Sequence, residues 1–125
     1  MPEVRLVDPW SKADRVWASD EDAALVAQYR EVRKVRACAL ALQLDQRQVA
    51  IRLVTLLLGG EGRIDNDDEM PNSGKWYSRE EVELISGQYR AGVPLRQIAL
   101  AVGRSQLGVG WRLLDLGLGA THPRG

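Results

Sequence analysis

The side chains best equipped to engage a partner are hydrogen-bond donors, mostly cationic or amide, and they fall in two runs. Arg33, Lys34, Arg36, Gln46, Arg47, Gln48 and Arg52 make the first, and Arg104, Ser105, Gln106, Trp111 and Arg112 the second. Their N–H and O–H groups suit oxyanions and base edges, and arginine adds a fixed fork of donors. Groups for bond-making chemistry are not assembled in this way. The sequence holds no paired His/Cys set at metal-ligand spacing and no nucleophile motif, and its carboxylates fall at expected helix starts or in a connector. The glycines of LLLGGEGR, residues 56–63, are not followed by Lys-Ser/Thr, so they predict a helix stop and a linker, not a phosphate loop. No enzymatic activity, cofactor or metal is expected. Cys38 is expected as a buried small hydrophobe, and His122, beside a proline near the chain end, as a solvated side chain.

These donors are positioned by an internal repeat. The stretch from Gln28 aligns without gaps to the stretch from Gln88, an offset of 60. It pairs Arg36 with Arg96, Ala39 with Ala99, Val49 with Val109, Arg52 with Arg112, Leu53 with Leu113 and Leu56 with Leu116. About fourteen identities make chance a poor explanation. Upstream, a one-residue shift pairs Trp17-Ala-Ser-Asp-Glu-Asp with Trp76-Tyr-Ser-Arg-Glu-Glu.

Each copy carries three helical signals. Ser19 with Asp22, and Ser78 with Glu81, have capping-box spacing, which starts helices near residues 20 and 79. Leu25, Val26 and Tyr29 share one face of the first helix, as Val82, Ile85 and Tyr89 do in the second copy. Val35, Cys38, Ala39 and Leu42, matched by Leu95, Ile98, Ala99 and Val102, give the stripe of a short amphipathic helix. Gly103 ends that helix in the second copy and Ser105 caps the next, which predicts a helix-turn-helix corner. In the first copy Asp45 caps, and the missing glycine predicts a more strained or differently shaped turn. The third helices run from about Gln46 and Gln106, with Val49, Leu53 and Leu56, and Val109, Leu113 and Leu116, facing inward.

The resulting boundaries are an N-terminal arm at 1–16, repeats at 17–59 and 76–119, a linker at 60–75 and a tail at 120–125. The fold class is all-α, two tandem three-helix units joined by an acidic, glycine-rich linker. A chain of 125 residues, 45% apolar and 27% charged, excludes a large catalytic scaffold, a disordered tail and a membrane span. Seventeen basic and 17 acidic residues balance, so any attraction to a polyanion must come from local charge separation. Six bases face two acids between Arg30 and Arg52, and four bases face none between Arg90 and Arg112. One cysteine and the absence of an export pattern predict a reducing, cytoplasmic location, nucleoid-associated in a bacterium.

Trp76, Ser78-Arg-Glu-Glu, Tyr89-Arg-Ala-Gly, Ile98-Ala, Gly103-Arg-Ser and Val109 through Arg112-Leu together resemble a Myb/SANT-type, bacterial-like helix-turn-helix repeat. The first copy departs at Gln43-Leu44-Asp45, and Trp111 falls at an outward position. The resemblance implies double-stranded DNA as partner, a role in transcription regulation, and third helices laid in the major groove. Arg47, Gln48, Ile51 and Thr55, flanked by Gln46 and Arg52, then form a base-reading face. The second copy offers Leu107, Gly108, Gly110, Trp111 and Asp115, edged by Arg104, Gln106 and Arg112. Arg30, Arg33, Lys34 and Arg36 suit phosphates or a salt-bridged surface, and Arg52 and Arg112 either phosphate or a first-helix acid. The alternative is a protein-interaction or dimerisation module. In that case Leu107, Trp111, Leu114, Ile51 and Val54 pack as an apolar face against the other copy, a homodimer mate or another protein.

Overall fold

A computed structural model describes residues 16–121. The expected arm up to residue 15, His122 and the end of the tail lie outside the described residues. Seven α-helices and no strand occur among the described residues: α1 (Ser19–Val32), α2 (Val35–Leu42), α3 (Gln46–Leu57), α4 (Arg79–Arg90), α5 (Leu95–Val102), α6 (Gln106–Asp115) and α7 (Leu118–Thr121). A 3-10 turn at Asp67–Glu69 interrupts the connector. No helix among the described residues is long and apolar enough to cross a membrane.

Local chemistry sets the helix ends. Asp45 and Ser105 cap α3 and α6, accepting from the N–H groups of Gln48 at 3.0 Å and Gly108 at 2.9 Å. Ser78 caps α4 by accepting from the Glu81 N–H. The cap of α1 is Ala18, not Ser19, and the Glu21 carboxylate reaches back to the Ala18 N–H at 3.0 Å. The offset of 60 therefore continues through the first-helix starts without the one-residue shift. Trp17 and Tyr77, each preceding a cap, pack against the core, whereas Trp76 is 97% exposed. The residue before the cap is the one turned inward, and its ring type is secondary.

The corners after α2 and α5 close identically. Gln43 and Gly103 both take the left-handed conformation, with φ of 57° and 68°. In each case the next N–H bonds back across the turn, Leu44 to the Ala39 carbonyl and Arg104 to the Ala99 carbonyl. The first corner is thus strained at Gln43 rather than differently shaped.

Packing repeats the register. Leu25, Tyr29, Val35, Cys38, Val49 and Leu53 are buried, as are their counterparts Ile85, Tyr89, Leu95, Ile98, Val109 and Leu113. Leu116, expected inward, is 44% exposed because the helix ends at Asp115 and Leu116 lies in the turn beyond it. The two groups do not remain separate: α3 packs on α6, and one apolar cluster spans both halves. Gly110 marks the close approach, since a Cβ there would stand 2.5 Å from Cγ2 of Val54. The Tyr29 hydroxyl donates to the Leu114 carbonyl at 2.6 Å, and burial raises its phenol above the usual range.

The connector is tied down along its length. The Gln106 carboxamide accepts from the Glu61 N–H and donates to the Glu61 carbonyl, and the Leu107 N–H bonds to the Ile64 carbonyl at 2.8 Å. Asn72 closes the other end on the carbonyls of Val102 and Gly103. The Leu107 bond satisfies an amide at the start of α6, and the Asn72 bonds satisfy carbonyls at the end of α5, groups that the helices leave without partners of their own.

Candidate nucleic-acid interface

The third helices divide their surface three ways: toward their own half, toward each other and toward solvent. Ala50, Val54, Leu107, Gly110 and Leu114 are buried together with the inward residues, and Ile51 and Trp111 are half-buried against the cluster. Gln48, Ser105 and Gln106 are buried as well, Gln106 through its bonds to the connector. Gln46 is half-buried. The expected base-reading side chains are therefore not gathered on one open face. Periodicity marked the apolar positions on the outer faces, and the apolar surface met its match within the same chain.

The cations near those helices already hold carboxylates. Arg52 binds Asp22 of α1 in a fork, at 2.8 and 2.7 Å, and this bonding holds the Asp22 carboxyl below its ordinary value. Arg104, only 5% exposed, binds both oxygens of Glu81 at 2.6 and 3.1 Å and also donates to the Trp76 carbonyl. Its guanidinium lies 3.7 Å from the centre of the Tyr77 ring, and Arg112, exposed, stands 5.6 Å from that same ring. Burial pushes the Tyr77 phenol up to about 12, and its hydroxyl donates to the Gly108 carbonyl. Arg47 pairs with Asp67 at 3.2 Å and Asp65 at 3.6 Å.

A different set of cations stands clear. Arg30, Arg33, Lys34 and Arg36 are exposed around the α1–α2 corner. The Lys34 ammonium donates to the Asp115 carbonyl at 2.8 Å, and the Asp115 carboxylate accepts from the Val35 N–H at 2.9 Å, so the end of α6 seats the start of α2. Arg90 and Arg96 hold the equivalent exposed places around the α4–α5 corner. Neither they nor Arg30 and Arg36 form an ion pair among the described residues. Arg90 and Arg96 were outside the set picked from sequence. The available signal was identity across the repeat at positions that the helical periodicity places in solvent.

The rest of the chemistry is quiet. Cys38 is buried and unpaired, and burial pushes its thiol up to about 11, away from a reactive thiolate. No group of three His, Cys, Asp or Glu residues that could hold a metal ion occurs among the described residues. No protein-family model matches the chain, and no curated protein or solved structure matches it.

Proposed function

We propose that the chain is a DNA-binding protein of transcription-regulator type, built from two tandem three-helix, Myb-like helix-turn-helix units. Its contact with duplex runs through the corners that lead into α2 and α5, and both third helices are not inserted into the groove at once. The observation carrying this reading is the recurrence, 60 residues apart, of exposed arginines that form no ion pair among the described residues: Arg30 with Arg90, and Arg36 with Arg96. A free guanidinium that meets a phosphate releases a counterion, whereas one held by a carboxylate must first exchange partners. In a helix-turn-helix the first helix of the motif crosses the backbone, which is where Arg36 and Arg96 stand. Arg33 and Lys34 add charge at the first corner.

Fluorescence anisotropy with a labelled duplex tests the reading. Binding at about 50 mM salt should weaken steeply as salt rises, and replacing Arg30, Arg36, Arg90 and Arg96 by Ala should flatten the salt slope by roughly 3 to 4. Absent or salt-insensitive binding of the parent overturns it.

A second reading, as an interaction or dimerisation module, is favoured by Leu40 and Leu100. They are equivalent residues on α2 and α5, 65% and 64% exposed. On that reading the partner meets the second helices, because the third-helix faces are covered within the chain. Light scattering decides it: a stable dimer lost in Leu40→Ser/Leu100→Ser, without DNA binding by the parent, favours the module.

A further inference from the structure

We infer that the acidic connector is a built-in competitor for DNA, with the Asp67 carboxylate occupying the place of a backbone phosphate between α3 and α6. The inference rests on the DNA-binding reading and concerns how that binding is restrained. One oxygen of Asp67 takes the Arg47 guanidinium at 3.2 Å, and the other accepts from the Ser105 hydroxyl. Asp65 supplies a second carboxylate to the same arginine. A phosphodiester offers the same charge and the same pair of outward oxygens as a carboxylate, so the two compete for one set of donors.

Magnitudes separate this contact from the other ion pairs. The side chains of Arg47, Asp65 and Asp67 are 39%, 34% and 31% exposed. Pairs this open contribute little to stability, and a polyanion can displace them. Arg104 with Glu81, at 5% and 19%, is enclosed and stays paired. Only the two carboxylates need to turn away, because the connector's backbone anchors, Gln106 on Glu61, Leu107 on Ile64 and Asn72 on Val102, do not involve the side chains of Asp65 or Asp67. Arg63 gathers the remaining acids, Asp68 and Glu69, and also reaches Asp65 at 3.9 Å; among the described residues Asp68 and Glu69 form no ion pair or hydrogen bond with Arg47 or Ser105.

Those two acids provide the control. Asp65→Asn/Asp67→Asn and Asp68→Asn/Glu69→Gln change the net charge equally, but only the first frees Arg47. Anisotropy with the same duplex should show the first variant binding about fivefold more tightly than the second, with a salt slope steeper by about 1. Adding Arg47→Ala to the first variant should cancel that gain, and thermal unfolding checks that each variant is folded. Equal affinities of the two variants, or a gain that survives Arg47→Ala, overturn the inference and leave the DNA-binding reading standing. If neither the parent nor any variant binds the duplex, the reading itself fails and the inference with it.

Discussion

The half of the chain from α1 to α3 and the half from α4 to α6 bury matching residues, yet they stabilise matching places by different means. The first closes its corner with Gln43 and the second with Gly103, and the first caps its opening helix at Ala18 and the second at Ser78. The first anchors its third helix to its first by Arg52 and Asp22. The second uses Arg104, two residues before α6, and Glu81. Asp115 serves the start of α2 in the other half, whereas Pro94, the residue before α5, provides no side-chain cap. The difference teaches that the apolar register holds the shape, while capping and ion pairing can move to neighbouring positions. Burial depends on an inward face alone, whereas a polar bond requires only donor and acceptor within reach.

The largest test of this comparison is in the shared register. Leu53→Ala and Leu113→Ala remove equivalent, fully buried side chains, and each should cost about 2 to 5 kcal/mol. Because α3 packs on α6, chemical denaturation should show one transition in both variants. Two separated transitions would mean the halves are independent.

The ion pairs come next. Arg104→Ala leaves Glu81 without its fork in an enclosed place and should cost about 3 kcal/mol, against about 1 kcal/mol for Arg52→Ala, whose pair is more open. The Asp22 carboxyl lies below its ordinary value of 3.8 in the folded chain, so its contribution is complete above that value and disappears as pH falls through the lowered one. Acid titration of stability should therefore show a smaller loss below about pH 4 in Asp22→Asn than in the parent. An unchanged acid limb removes Asp22 from this role.

Smaller effects follow at the corners. Gly103→Ala combines a left-handed φ with a Cβ 2.8 Å from Nδ2 of Asn72 and should destabilise by about 1 to 2 kcal/mol. Gln43→Gly relieves the same conformation and should stabilise by up to about 1 kcal/mol. The smallest is at the caps: Ser78→Ala should lose about 1 kcal/mol, and Ala18→Ser should gain a similar amount or less. Matching signs within either pair would show that the two halves do not face the same local demands.

The three helices in each half were legible because they depend on short-range signals, the Asp45 and Ser105 caps, the glycine at 103 and the apolar stripes, whereas the cap at Ala18 and the end of α6 before Leu116 were not. Residues such as Val49 and Leu53 were legible as core for the same reason. The candidate site was less so. Arg33, Lys34, Arg36 and Arg112 stand exposed, but Gln48, Ser105 and Gln106 are buried and Arg47, Arg52 and Arg104 are paired. A basic residue in sequence carries no mark of which acid, some 18 to 30 positions away, will reach it.

What the sequence by itself determined is the repeat, the helices and the inward face of each, since periodicity and capping act within a few residues. Only the tertiary structure decided that the second apolar faces of α3 and α6 meet each other at Val54 and Gly110, and that the connector's carboxylates close over Arg47. Apolar surface is non-directional: a stripe states that it must leave water, and the choice of what covers it belongs to the assembled chain.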